Sequence, residues 1–177
     1  MTGPDPAAPR ITQRGLWFEE FTVGTVYEHR PGRTLTEADN VLFTTLTMNT
    51  QALHLDAHWA AGQPGFDGQR LINSMLTLST IVGLSVAQLT QGTLVANLGF
   101  TETAFPAPMF AGDTLYAETE CTGKRVSKSR PGEGVVNLTH IGRNQHGTVV
   151  ARTSRATLVR LDPDRPTQST AGEGNPR

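Results

Sequence analysis

The chain has 177 residues, which suits a single domain with a substantial buried core. Its 15 lysines and arginines against 16 acidic residues give a formal net charge of −1, which excludes the strongly basic surface typical of proteins that bind nucleic acid or anionic membranes. The single cysteine, Cys121, excludes an internal disulfide and a cysteine-based metal site, and it favours a reducing compartment, which we take to be the cytoplasm.

The two ends of the chain are rich in proline, glycine and small polar residues, a composition that buries little apolar surface. We therefore predict flexible tails over 1–14 and 162–177 and one domain over 15–161. The N-terminal residues lack the basic start and apolar core of a signal peptide, and the most apolar window, 71–89, is repeatedly interrupted by polar residues. We expect no membrane-spanning segment.

A first helix is predicted to begin within the stretch TLTEAD. Thr36 has the side chain of an N-cap, and the acidic residues Glu37 and Asp39 follow in the first turn, where they complement the helix dipole. The predicted apolar face of this helix consists of Val41, Leu42, Thr45 and Leu46. The helix is expected to end just before Asn49.

A second helix is predicted over 71–90, where apolar residues occur nearly all round and proline is absent, as in a helix enclosed by other elements. After about Asn97 the periodicity changes to that of strands, with alternation over 115–122, 135–141 and 148–160 and turn-like breaks at PGEG and NQHG. Helices followed by an antiparallel meander predict an α+β fold, with the sheet wrapped around the central helix.

The stretch MNTQALHLDAHWAA, between the two helices, concentrates hydrogen-bonding side chains on an expected loop. Histidine titrates near neutrality, so His54 can take a proton from water and return it to a substrate. The amide of Asn49 can hold that water by accepting one of its hydrogens and donating to its oxygen. From the residue types alone, the alternative is a structural His54 that caps a helix or bonds a backbone carbonyl.

This stretch resembles the hydratase motif of the MaoC-like dehydratases, the (R)-specific enoyl-CoA hydratases of the hot-dog fold. The family motif reads Gly-Asp-x-Asn-Pro-x-His, and its Asp and His fall on Asn49 and His54. Four further segments resemble the family, namely GLWFEEFTVG, RTLTEAD, FPAPMFAGDTL and GRNQHGTVV. With NLGFTETAF, they are similar to the branch that acts on short branched or dicarboxylic acyl-CoAs such as mesaconyl-CoA. The resemblance implies a hot-dog hydratase or dehydratase of enoyl-CoA.

The chain departs from the family pattern at two positions. Asn49 replaces the catalytic Asp, and an amide can orient water but cannot carry a proton, so His54 would be the proton carrier. Where the family commonly has His-Gly-Met, this chain has Asn73-Ser74-Met75. The glycine N–H serves the family as an oxyanion donor, and the Ser74 N–H at a helix N-terminus is expected to replace it.

A basic cluster near the end of one predicted strand is a candidate for binding the CoA phosphates, with a solvated strand end as the alternative. The cluster consists of Lys124, Arg125, Lys128 and Arg130. Met75 is a candidate for lining the acyl pocket, with a place in the core as the alternative. His54 and His58 have helical spacing, but no third ligand is evident, so we expect no metal site. Hydration also needs no redox cofactor, since coenzyme A is part of the substrate.

Two other functions compete with the hydratase. A hot-dog acyl-CoA thioesterase would need a carboxylate near the thioester, and 71–90 contains none. A non-catalytic acyl-CoA-binding subunit of a hetero-oligomeric dehydratase would rely on a partner for the proton donor that Asn49 cannot provide. For the hydratase itself, the resemblance implies a homodimer or a larger assembly of dimers.

Overall fold

The computed structural model describes residues 3–165. The predicted C-terminal tail lies outside these residues from 166 onward, and the described N-terminal stretch 3–17 contains no helix or strand. The boundaries of the two predicted tails stay predictions. After a short 3-10 helix, Phe18–Glu20, the elements in chain order are β1 (Val26–Thr34), α1 (Glu37–Leu46), α2 (Ala52–Leu55), α3 (Ala57–Ala61), α4 (Ser74–Leu89), β2 (Leu94–Ala104), β3 (Thr114–Val126), β4 (Glu133–Arg143) and β5 (Val149–Arg160).

The five strands form one antiparallel sheet in the order β1-β3-β4-β5-β2. The predicted strand alternation is confirmed on β3, where Leu115, Ala117, Thr119 and Cys121 are at most 2% exposed. On β4 the alternation of burial is incomplete, because Val135 and Thr139 are each only 7% exposed although they alternate with buried residues such as Leu138. β4 is the central strand of the sheet and pairs with β3 on one edge and β5 on the other.

The helix α4 packs on one face of this sheet, which confirms the predicted α+β arrangement around a central helix. Near its N-terminus, Leu78 and Ile81 belong to an apolar cluster with Leu115, at the start of β3. Near its C-terminus, Leu89 packs with Cys121, toward the end of β3. The N-terminus of α4 therefore lies at the end of the sheet where β3 begins.

The helix α4 begins three residues later than predicted, at Ser74. The cause is that the preceding residues pair with another segment instead of entering the helix. Leu71 forms an isolated antiparallel bridge with Phe110, and the Ile72 N–H donates to the Met109 carbonyl at 2.8 Å. Within residues 3–165, no helix is both long and apolar enough to cross a membrane.

The helix α1 begins as predicted, with Thr36 as its N-cap, but its predicted apolar face is wrong. Leu42 and Leu46 are 61% and 73% exposed, whereas the buried residues are Asn40 and Thr44. These two polar side chains join α1 to the start of α4 by hydrogen bonds. Asn40 Oδ1 accepts from the Asn73 N–H at 2.8 Å, and Thr44 Oγ1 accepts from Asn73 Nδ2 at 3.3 Å.

A chain of hydrogen bonds crosses the interior between α4 and the sheet. Arg155 Nε donates to His140 Nε2 at 2.8 Å, and because arginine only donates, His140 must carry its proton on Nδ1. His140 Nδ1 donates to Thr119 Oγ1, Thr119 donates to His29 Nε2, and His29 Nδ1 donates to Gln88 Oε1, each at 2.7 Å. With both histidines in the neutral form, every bond in the chain therefore has a fixed direction.

Burial lowers the pKa of both histidines in this chain. His140 is 0% exposed, and desolvation, together with the nearby positive charge of Arg155, lowers its pKa to about 3. Desolvation also lowers the pKa of His29. Protonation of His140 on Nε2 would be unfavourable, because the Arg155 Nε–H already donates to that nitrogen and two N–H donors would then face each other.

We expect the free energy of unfolding to fall as the pH drops below about 6.5, because the unfolded histidines bind protons that folded His140 and His29 reject. His140 contributes a slope that approaches about 1.4 kcal/mol per pH unit between its unfolded and folded pKa values. Urea denaturation between pH 7.5 and 4.5 measures this slope. His140→Gln should reduce it, whereas His146→Gln, in an exposed turn, should not. An equal slope in both variants would contradict the assignment.

Candidate active site

Asn49 is placed by the way α1 ends. The Met48 N–H donates to the Thr45 carbonyl and the Asn49 N–H to the Thr44 carbonyl, both at 3.0 Å. Met48 itself has φ = 55°. This is a Schellman motif, in which the left-handed residue turns the chain sharply out of the helix. Asn49 is therefore fixed relative to α1, as the sequence predicted, although the left-handed position that favours glycine is filled by methionine.

The side chain of Asn49 is half-buried, and it has one free polar group. Its Oδ1 accepts the Gln51 N–H at 3.0 Å, which assigns the oxygen unambiguously. Its Nδ2 forms no hydrogen bond within the described part of the chain. The amide therefore offers a donor to a ligand, and the second lone pair of Oδ1 remains as an acceptor.

His54 lies on the short helix α2 and is 8% exposed. Its Nδ1 is 2.9 Å from the Leu71 carbonyl oxygen. A carbonyl only accepts, so Nδ1 carries the proton and Nε2 keeps its lone pair in the neutral ring. Nε2 has no partner among residues 3–165 and is not among the fully buried side-chain atoms without one, so it reaches the surface. His54 therefore donates to a backbone carbonyl through one ring nitrogen and keeps the other free to accept a proton.

The third predicted residue, Ser74, begins α4. Asn73 caps the helix, its Oδ1 accepting the Met75 N–H at 3.0 Å. The Ser74 N–H has no acceptor in the described structure, and it lies at the positive end of a 16-residue helix. Such an N–H is suited to stabilise an anionic oxygen.

A cleft of about 260 Å³ opens at this helix end. Apart from the hydroxyls of Ser74 and Thr77, its lining side chains carry no hydroxyl, amide or charge. Leu71 and Phe105 contribute to its apolar wall. Met75 does not line the cleft and is 51% exposed, so it is not a core residue, and its contact with an acyl chain stays a prediction.

The structure connects the three predicted residues through side chains that the sequence analysis missed. The Asn40 side chain bonds the His54 carbonyl and the N–H of Asn73, just before Ser74. Thr44 accepts the Asn49 N–H on its backbone carbonyl and Asn73 Nδ2 on its side-chain hydroxyl. Asn40 and Thr44 are one helical turn apart and are 2% and 0% exposed. Their i, i+4 spacing, which places both side chains on the same face of α1, was the available signal.

The predicted basic cluster lies away from the cleft at Ser74. Lys124 Nζ donates to the carbonyls of Phe18, Glu19 and Phe21 and lies 5.1 Å from the Phe18 ring centroid. Arg130 forms an ion pair with Glu133 at 2.7 Å.

The remaining members of the cluster, Arg125 and Lys128, are exposed. All four basic residues follow the part of β3 that packs against the C-terminus of α4. Because α4 has 16 residues and is about 24 Å long, Ser74 lies at the opposite end of the helix. The predicted contact with CoA phosphates therefore stays a prediction.

No metal site is found among residues 3–165, since no three or more His, Cys, Asp or Glu side chains are grouped to hold an ion. His58, which shares helical spacing with His54, lies on α3 instead of continuing the helix α2. Asp56, between them, caps α3 by accepting the Trp59 N–H at 2.9 Å.

The sequence is similar to a described family and to several known proteins. A family model described as a MaoC-like domain matches residues 19–144. A β-methylmalyl-CoA dehydratase from Chloroflexus aurantiacus is 32% identical over 160 residues, covering 90% of this chain and 44% of that protein. A mesaconyl-CoA hydratase from Cereibacter sphaeroides is 29% identical over 151 residues, covering 84% and 42%. The chain spans less than half the length of either relative.

Solved structures confirm the predicted hot-dog fold. A monoamine oxidase regulatory protein from Archaeoglobus has 30% sequence identity and a TM-score of 0.75, covering 86% of this chain and 100% of that one. A Mycobacterium tuberculosis protein described as a double hot-dog fold has 24% identity and a TM-score of 0.76, covering 90% of this chain and 48% of that one.

We expect Lys124→Met to lower the free energy of unfolding by about 1.5–3 kcal/mol, because hydrogen bonds from a charged group to the 18–21 segment are lost. Lys128→Met, at an exposed position of the same cluster, should change it by less than about 0.5 kcal/mol. Urea denaturation measures both. Equal effects of the two substitutions would contradict a structural role for Lys124.

Proposed function

The chain belongs to the MaoC-like domain family, and from that premise we propose that it adds water across the 2,3-double bond of an enoyl-CoA, reversibly giving a 3-hydroxyacyl-CoA. The observation that carries the proposal is the hydrogen bond that His54 makes through Nδ1. Its Nδ1–H bonds the Leu71 carbonyl, so a basic Nε2 reaches the surface while Leu71 also lines the cleft at Ser74.

In the proposed reaction, water binds between Asn49 and His54. Asn49 Nδ2 donates to the water oxygen, and His54 Nε2 accepts one of the water protons as the oxygen attacks the β-carbon. Asn49 orients the water and cannot take up the proton itself. His54 then donates the proton to the α-carbon, so that the hydroxyl and the hydrogen of one water are both added. Dehydration uses the same groups in reverse.

As water adds, negative charge develops on the thioester oxygen, and we assign its stabilisation to Ser74. The Ser74 N–H has no competing acceptor among residues 3–165 and is oriented by the helix that follows it. Removal of one such donor typically costs about 2.7–4 kcal/mol of transition-state stabilisation. Because water addition causes no net oxidation or reduction, we propose that the reaction needs no resident cofactor.

For the acyl group, we propose a short branched or dicarboxylic chain, such as that of mesaconyl- or itaconyl-CoA. The support is the naming of the two relatives, together with an apolar cleft of about 260 Å³ suited to a short acyl chain. The lining side chains carry no positive charge. The second carboxylate of a dicarboxylic substrate would therefore have to lie in solvent or against another subunit.

We also propose a homodimer or an assembly of dimers. β2 is an edge strand, and its residues Leu98 and Phe100 are 53% and 43% exposed. An apolar edge strand of this length invites pairing with a second copy. A substrate carried by coenzyme A is the support for a cytoplasmic location.

The decisive test follows the loss of enoyl-thioester absorbance with crotonyl-, mesaconyl- and itaconyl-CoA. We expect turnover by the native protein and a decrease in kcat of about 100–10,000-fold in His54→Ala. Asn49→Ala should also lower kcat, and His146→Ala, in an exposed turn, serves as the control. Saturable enoyl-CoA binding without turnover would contradict the proposal and favour the non-catalytic subunit, and release of free CoA would favour the thioesterase.

The oxyanion donor can be tested separately, because proline is tolerated at the first position of a helix. Ser74→Pro removes the N–H, and the extended backbone of Asn73, with φ −57° and ψ 124°, is compatible with a following proline. We expect kcat to fall about 100–1,000-fold. Ser74→Ala keeps the N–H and should retain most of the activity. Similar kcat values for the two folded variants would rule out the assigned role.

A further inference from the structure

We propose that Asn40 is a positioning residue that holds the base His54 in its active tautomer and fixes His54 relative to the N–H end of α4. The inference rests on the hydratase function proposed above. Asn40 lies on α1, is 2% exposed and is not among the residues that line the cleft at Ser74. Its side chain contacts each of the two segments that carry the reacting groups.

Both ends of the Asn40 amide are used. Its Oδ1 accepts the Asn73 N–H at 2.8 Å, and its Nδ2 donates to the carbonyls of Leu71 at 3.0 Å and His54 at 3.3 Å. One acceptor and two donors match one N–H and two carbonyls, and among side chains of this size only asparagine offers that set. The site therefore specifies the residue type as well as its polarity.

Asn40 acts on His54 through the Leu71 carbonyl oxygen. This oxygen accepts both Asn40 Nδ2–H and His54 Nδ1–H. Asn40 thus aims the carbonyl that holds the proton on Nδ1 and leaves Nε2 basic. Without Asn40, the carbonyl can turn away and the ring can adopt the tautomer with Nε2–H, which cannot accept a proton from water.

Asn40 also positions the start of α4, through its hydrogen bond with Asn73. The bond from the Asn73 N–H to Asn40 sets the entry of the chain into the helix, immediately before the Ser74 N–H. The same helix α1 ends in the turn that places Asn49. One rigid helix therefore sets the positions of the base, the water-orienting amide and the oxyanion donor, and a displacement of about 1 Å among such groups costs about 100-fold in rate.

The test uses Asn40→Asp, which keeps the shape and the acceptor for the Asn73 N–H but, as a carboxylate, loses both donors. Asn40→Ser is a second variant in case the first fails to fold. We expect kcat to fall about 100-fold while KM stays within about threefold. Nitrogen NMR of histidine-labelled protein should show His54 protonated on Nδ1 in the native chain, with a substantial Nε2–H population in the variants.

Thr157→Val is the matched control, because Thr157 is fully buried and loses one hydrogen bond, to the Val136 carbonyl. Thr157 does not line the cleft and lies seven residues along β5 from Val150, which does. It should lower stability without changing kcat or the His54 tautomer. The inference is overturned if folded Asn40 variants keep the Nδ1–H tautomer and near-native kcat, or if Thr157→Val causes the same changes. If the native protein turns over no enoyl-CoA, the hydratase proposal fails, and the NMR result still decides whether Asn40 positions His54.

Discussion

The carbonyl oxygen of Leu71 is the constraint on which the candidate site depends. It accepts two hydrogen bonds, one from the ring of His54 and one from the amide of Asn40, just before the chain enters α4. The residue is kept out of the helix by its bridge with Phe110, so its carbonyl stays available for side-chain donors. The late start of α4 is therefore what gives His54 its partner.

The same physical rule assigns the protons of two very different histidines. A carbonyl beside His54 Nδ1 can only accept, whereas the guanidinium of Arg155 beside His140 Nε2 can only donate. Nδ1 consequently carries a proton in both rings. They differ in what remains free, because both nitrogens of His140 are engaged inside the core, whereas His54 keeps one nitrogen at the surface. Of these two histidines, only His54 can therefore exchange a proton with a bound water.

Much of the fold could be predicted from the sequence, because local signals and the tertiary structure agree. The N-cap Thr36, the apolar central helix and the alternation along β3 follow from local chemistry. The site residues His54 and Asn49 came from spacing and family resemblance, and the Schellman turn explains how the chain presents Asn49.

The features that could not be predicted depend on contacts with residues distant in the sequence. Lys124 donates to carbonyls more than 100 residues away, and no local signal in the sequence indicates these hydrogen bonds. The role of Asn40 was hidden because periodicity assigns a helix face by apolar residues, whereas α1 docks through polar ones. Such a face becomes predictable only when the carbonyls and N–H groups that meet it are known, and here they belong to the loop before α4.

The most direct test of the account is to incubate the native protein with crotonyl- or mesaconyl-CoA in heavy water and to examine the product by NMR. Water activation by His54 and proton return to the α-carbon predict a 3-hydroxyacyl-CoA with one deuterium at the α-carbon and an intact thioester. An unchanged enoyl-CoA, or free coenzyme A together with the released acid, would contradict it.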